Sequence, residues 1–290
     1  MNNIKEGYEE MMNVRKSASQ IVLMIILVLG LFIFAVPFIF MVSNSFEKFT
    51  FSLPFPPRLF PKEFVWDNYL EILNKQKICR YFFNSVVVTV LTTFFGVTLA
   101  ALSAYGFARI NFKGREPLFK IYLFTLMVPG VLNIIPQFAI LNSLHLISTH
   151  QGLILLYVGT GICGTTFFLR GFMESVPKEL DESVVMDGGS HWTIFSKILL
   201  PLSKPALATI SVMMMQGTWD DYFTAKVILG SNEKLFTMPI MIQRLHGQHA
   251  TKWGLVFAAS ILMLIPVIML YVISQKYFVV GGISEGGIKG

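Results

Sequence analysis

Charge is what this sequence has least of. Only 14% of its 290 residues are Asp, Glu, Lys or Arg, against 54% hydrophobic. Soluble domains carry about 25% charged residues, so a water-soluble globule is excluded and the chain falls in the membrane class. Cysteine is scarce as well. Cys79 and Cys163 lie far apart and form no metal-type pair. Cys163 sits inside an apolar run and reads as a packing residue. The sequence lacks a G-x-x-x-x-G-K-S/T phosphate loop, so the chain is not expected to hydrolyse ATP alone. The net charge is +6, but the basic residues are scattered through loops without a patch or basic helix, which argues against nucleic acid as a partner. His246 and His249 are three apart with no acid or cysteine near them in sequence, too few ligands for a metal. His145, His150 and His191 are isolated.

What the sequence has instead is long apolar runs. Six lie at 21–41, 83–107, 121–141, 152–169, 206–223 and 253–273. Each approaches the ~20 residues that span a ~30 Å hydrocarbon core. The first holds no charge and is too long for a signal-peptide core, so it reads as a retained anchor. The expected fold is an all-α polytopic membrane protein of six transmembrane helices. Its organisation is an N-terminal segment at 1–20, a six-span domain at 21–273 that includes the loop 170–204, and a Gly-rich tail at 274–290. Short loops rich in Lys and Arg stay in the cytoplasm. Arg109, Lys113, Arg115 and Lys120 follow the second span, whereas 142–151 holds no Lys or Arg. Lys5, Arg15 and Lys16 precede the first span. Both termini and the 170–204 loop are therefore expected on the cytoplasmic side. The 42–80 loop runs against this bias with six basic residues, offset by Glu47, Glu63, Asp67 and Glu71.

Several local features have two readings. Pro54, Pro56, Pro57 and Pro61 dictate an extended path. Asn68, with Glu71 three residues on, suits the N-cap of a short helix. Gly96, Ala100, Ala104 and Ala108 share one face of the second span, which suits close approach of a helix from a partner or from this same chain. Gly159, Gly161, Gly164 and Thr165 mark the fourth span as an inner helix. Pro129 and Pro136 bend the third. Asn133 and Gln137 between and after them either line a translocation path or pair with the loosened backbone; with Gln216 they are the candidate path residues. Trp219, Asp220, Asp221 and Tyr222 end the fifth span as an outer-interface belt.

The 170–204 loop carries the strongest signal. Pro177 opens a helix, and Glu179, Asp181 and Glu182 suit its positive end. Leu180 and Val184 make an apolar stripe. Gly188 or Gly189 stops the helix. Ser190 caps a second one bearing Trp192, Phe195 and Leu199, and Pro201 breaks it. Ser203 and Pro205 then start the fifth span. The product is a helix–Gly–helix elbow with an apolar stripe beside acids, suited to a partner's groove.

Glu182, Gly188, Ile198, Leu200 and Pro201 fall at the spacing of the EAA loop: E-A-A, three residues, G, nine residues, I-x-L-P. With TWDDY at the end of the fifth span and the tail YFVVGGISEGGIKG, the chain from the second span onward resembles the permease subunits of carbohydrate ABC importers of the maltose-permease type. Ser183 and Val184 replace the two usual alanines, and Gly189 replaces the second residue of the usual Gly-Ala pair. The resemblance implies a type I ABC importer transmembrane domain in a bacterial cell membrane. Its implied partners are a second permease subunit, two ATPase subunits that hold ATP and Mg, and an extracytoplasmic sugar-binding protein. This chain would bind no cofactor and would not be an enzyme. The implied ATPase-coupling residues are Leu180, Glu182, Ser183, Val184, Asp187, Gly188, Gly189, Ile198, Leu200 and Pro201. Glu182 would meet a basic residue of the ATPase, the 224–252 loop would reach the binding protein, and the tail would touch the ATPase pair. The alternative is a self-sufficient secondary carrier. Such carriers often show related halves and midmembrane charges; the sequence has no obvious internal repeat and no central acid–base pair.

Overall fold

Four apolar runs form unbroken helices in this computed structural model: Gln20–Ser45, Ile78–Arg109, His150–Ser175 and Trp253–Gln275. Two further pairs are bent, Arg115–Leu126 with Gly130–Ser143 at 99° and His191–Leu202 with Lys204–Asp220 at 74°. Counting each bent pair as one span gives six. The backbone is described for residues 2–48, 58–246 and 251–286, and the side chains for 20–48, 58–246 and 251–275. Pro54, Pro56, Pro57, His249 and residues 287–290 lie outside the described residues.

The chain divides into two compact units, Met1–Lys75 with Leu245–Ile261, and Gln76–Arg244 with Leu262–Gly290. The first contains α1 (Asn2–Ser45), α2 (Asp67–Asn74) and the start of α13 (Trp253–Gly286). Among the described residues of α1, most apolar side chains from Ile21 to Val42 are exposed; Phe34 is 76% exposed. In water such a helix would be an aggregation hazard, whereas in lipid it is a span. The expected cap at Asn68 is absent. The α2 N-cap is Trp66, without a side-chain hydrogen bond. Asn68 is fully buried, and its Nδ2 donates to the carbonyls of Ser45 and Glu47, both at 2.7 Å. The end of α1 leaves carbonyls without helical partners, and Asn68 supplies the missing donors. Ser45 Oγ lies 2.8 Å from Tyr69 Oη. Glu71 faces Lys252 Nζ at 3.5 Å rather than turning back to the helix start. A Cβ on Gly254 would lie 2.9 Å from Asn68 Oδ1, so glycine is what makes room for the Asn68 side chain.

The second unit is organised around α3 (Ile78–Arg109) and α6 (His150–Ser175). Ala100, Ala104 and Ala108 are buried in one cluster with Leu169 and Met173 of α6. The small-residue face of the second span is therefore filled from within the chain. Lipid tails are as apolar as leucine, so close van der Waals packing, not exclusion from water, holds such helices together. α10 (Lys204–Asp220) closes the group. A Cβ at Gly96 or at Gly161 would lie 2.8 Å from Met214 Cε, so both glycines make room for one methionine. At the other end a second cluster joins Val88, Leu153 and Leu156 to Ala225, Ile228 and Leu229 of α11 (Phe223–Leu229) and to Phe236. Asn84 Nδ2 donates to the carbonyls of Lys234 and Phe236, and Ser85 Oγ accepts from Met238 N at the start of α12 (Met238–Arg244).

The third apolar run is two helices, α4 (Arg115–Leu126) and α5 (Ile134–Ser143), joined through a 3-10 turn at Gly130–Asn133. Pro129 sits at the break with extended ψ of 124°. Pro136 does not bend α5, because it lies in the first turn, where backbone N–H groups have no helical acceptor. Trp219, expected in an interface belt, has its side chain turned into the protein. It is buried, its Nε1 donates to Met263 O at 3.1 Å, and it packs edge-on against Phe82.

Asn68→Leu is expected to lower the thermal midpoint of the detergent-solubilised protein, because each buried carbonyl left unpaired costs about 1–3 kcal/mol. Asn68→Asp has the same shape but cannot donate, and should do no better. An unchanged midpoint in both would remove Asn68 as the tie.

Candidate functional site

The 170–204 segment folds as the expected elbow. Its first arm is α7 (Glu179–Met186). The stop falls at Gly188, with φ +77°, a conformation that side chains resist. Gly189 N donates to Val184 O at 2.8 Å and Gly188 N to Val185 O at 3.0 Å. These two bonds are the Schellman pair that closes a helix C-terminus. The second arm opens on a reciprocal cap: Thr193 N donates to Ser190 Oγ and Ser190 N to Thr193 Oγ1. It runs through α8 (His191–Thr193), a π-helical stretch at Ile194–Leu199 and α9 (Leu200–Leu202). Pro201 lies inside this arm rather than ending it. Proline removes a donor and crowds the carbonyl four residues back, and the widened π turns lie directly before it. The bend falls at Ser203.

The two faces of the elbow differ. Ile194, Phe195 and Leu199 are buried with Tyr105 and Leu169, and Val184 and Leu200 pack on this cluster. Leu180, Glu182, Ser183, Asp187, Gly188 and Pro201 are exposed, whereas Val184, Gly189, Ile198 and Leu200 are half-buried. The outward apolar face is thus not the Leu180–Val184 stripe. It consists of Leu180 with Val185 at 58%, Met186 at 87% and Trp192 at 66% exposure. Val185 and Met186 stand three and four residues after Glu182, so they share its face; that helical phase was the available signal.

The departures at 184 and 189 fit one another. A Cβ on Gly189 would run into the Val184 side chain and lie 2.9 Å from the Val184 carbonyl oxygen. The valine fills the space that an alanine at 189 would need.

A separate cavity of about 700 Å³ is lined by α4, α5, α6 and the end of α10. Asn133 and Gln137 both line it, and neither side chain bonds to the loosened backbone. Gln216 is exposed and not in its wall, where Gly217 stands instead. Three wall residues had no such expectation. Cys163 lines the cavity, as do Tyr157 and Asp221. Tyr157 Oη donates to Asp221 Oδ2 at 2.9 Å, and Asp221 Oδ1 accepts from Thr224 N at 3.1 Å. That pairing spans 64 residues, which sequence pattern does not reveal.

Gly189→Ala should loosen the elbow, and adding Val184→Ala should recover only part of the loss, because the carbonyl oxygen of residue 184 still stands 2.9 Å from the new Cβ. The coupling between the two sites is expected at about 1 kcal/mol, read from protease resistance or thermal unfolding of the four variants. Additive effects would mean that the two side chains do not compete for space.

Residues 93–280 match the family described as "Binding-protein-dependent transport system inner membrane component". The chain is 31% identical over 266 residues to the inner membrane ABC transporter permease protein YcjP of Escherichia coli (strain K12), covering 91% of this chain and 94% of that one. It is 32% identical over 231 residues to the arabinooligosaccharides transport system permease protein AraQ of Bacillus subtilis (strain 168), covering 79% and 81%. Its fold matches a chain of a bacterial ABC transporter crystal structure involved in import of the acidic polysaccharide alginate, with a TM-score of 0.77 at 24% identity over 89% of this chain and 95% of that one. Carrying the elbow and the apolar spans within the matched region, this chain belongs to the family of binding-protein-dependent transport system inner membrane components.

Proposed function

We propose that this chain is one of two permease subunits of an ATP-driven importer of sugars or oligosaccharides. The observation that carries the proposal is the outward face of the elbow: Val185 and Met186 stand exposed beside Glu182 on a helix whose end is locked by two hydrogen bonds, and Trp192 is exposed on the second arm. Such a face left in water is unfavourable, and a groove in a partner is the natural cover. The partner is a pair of ATPase subunits, which bind and hydrolyse ATP with Mg. Leu180, Glu182, Ser183, Asp187 and Gly188 present the docking surface; Val184, Gly189, Ile198, Leu200 and Pro201 give it shape. The elbow and both termini lie on the cytoplasmic side, as the loop charges argue. An extracytoplasmic binding protein delivers the substrate.

The sugar class is supported by the names of relatives: AraQ is an arabinooligosaccharides permease protein, and GanQ of Bacillus subtilis (strain 168), 33% identical over 236 residues, a galactooligosaccharides one. The cavity suits it chemically. The free amides of Asn133 and Gln137 each donate and accept, as sugar hydroxyls do. When ATP closes the ATPase pair, the docked elbows are drawn together. The second arm continues through the bend at Ser203 into α10, so its displacement moves a membrane helix directly. Access to the cavity then alternates by rigid-body motion of one bundle against the other. The names of relatives such as YcjP, an inner membrane ABC transporter permease protein, favour this reading over self-sufficient carriage.

Glu182→Lys should leave the chain in the membrane but strip the ATPase on co-purification and abolish sugar uptake into vesicles; normal uptake would defeat the docking assignment. Asn133→Ala with Gln137→Ala should keep the assembly intact and raise the apparent KM for uptake about fivefold or more. An unaltered KM would take the two amides out of the path.

A further inference from the structure

Docking accounts for the outward face of the elbow and leaves two polar contacts on its inward face unused. Both come from the last two turns of α3, a helix that is not continuous with the elbow. Arg109 ends α3, and its side chain is 4% exposed. Its Nε lies 2.7 Å from Asp181 Oδ2 on the first arm, where the Asp181 side chain is 15% exposed. Its Nη2 donates to Val176 O at 2.7 Å, in the turn between α6 and the elbow. Tyr105, one turn earlier, reaches the second arm. Its hydroxyl donates to His191 O at 3.0 Å and lies 3.0 Å from His191 Nδ1, while its ring packs on Phe195.

We propose that Arg109 and Tyr105 are positioning residues that clamp both arms of the elbow to α3, making α3 a third rod driven by the ATPase stroke beside α6 and α10. The chemistry favours a permanent joint over a switch. Breaking a buried ion pair strands a charge where water cannot compensate it. The guanidinium also donates to the Val176 carbonyl while pairing with the Asp181 carboxylate, a planar arrangement that a lysine ammonium on a flexible stem does not reproduce. The joint holds the elbow at two points, one on each side of the Gly188 stop, so the arms cannot pivot about the glycine without pulling on α3. Through α3 the displacement reaches Gly96 and its contact with Met214, and so the three-helix packing around the spans. The proposal rests on the docking of the elbow described above.

The test uses the full complex, reconstituted in proteoliposomes with its ATPases and binding protein. The measured quantity is sugar transported per ATP hydrolysed, alongside the yield of co-purified ATPase. Arg109→Met should retain the ATPase and still hydrolyse ATP, while transport per ATP falls about tenfold. Arg109→Lys should recover only part of the loss. Adding Asp181→Asn to Arg109→Met should make it little worse, since both remove one contact. Should Arg109→Met fail to assemble, Tyr105→Phe decides: it keeps the ring and removes only the hydroxyl, and transport per ATP should fall about fivefold. A wild-type ratio in the assembled variants overturns the clamp, as does a loss of uptake that merely follows the yield of complex. Failure of the wild-type chain to retain its ATPase would instead overturn the docking.

Discussion

Everything in the larger unit depends on how closely α3 lies against α6. Alanines at 100, 104 and 108 remove side-chain bulk from one face of α3, and Leu169 and Met173 fill what is left. In a membrane there is little solvophobic drive between helices, so contact area at short range has to supply the attraction. That contact sets the positions of the groups at both ends of α3. At one end Arg109 and Tyr105 arrive at the elbow; at the other Asn84 and Ser85 meet the 234–238 segment. Met214, seated against Gly96 and Gly161, adds α10 to the pair. A bulkier face on α3 would displace both ends together.

The elbow joins two requirements that usually conflict. It must present apolar side chains outward, and it must not collapse onto its own bundle. The conflict is resolved by giving each arm a strong local terminus, the Gly188 stop and the Ser190 cap, and a separate buried face. Val184 and Phe195 satisfy the bundle, which leaves Val185, Met186 and Trp192 turned away from it. Local hydrogen bonds stiffen each arm and the buried inward contacts hold it to the bundle, so the outward side chains stay exposed.

Local grammar made the elbow legible in the sequence. Glycine at a helix stop, serine with a partner three residues on and acids in a first turn each act within one or two turns. Pro129 was legible for the same reason, while Pro136 showed how position within a helix decides whether proline bends it. What stayed hidden depended on residues far apart in the chain. Asn68 looked like a cap until the carbonyls at the end of α1 came within reach. Val184 looked outward until its fit with Gly189 fixed its direction. Trp219 had the composition of an interface residue and the surroundings of a core one. Arg109 looked like loop charge, and only the fold brings it to Asp181. Of the three path candidates, Asn133 and Gln137 share one helical region and so moved together, whereas Gln216 depended on the rotation of α10, which composition alone does not set.

The central claim is that the elbow seats in the groove of a nucleotide-driven partner. A photo-crosslinking amino acid at Met186, activated in cells during sugar uptake, tests it most directly. The account predicts one dominant adduct, between this chain and the ATPase subunit. Uptake that proceeds with adducts only to lipid, or to none of the companion subunits, would contradict it.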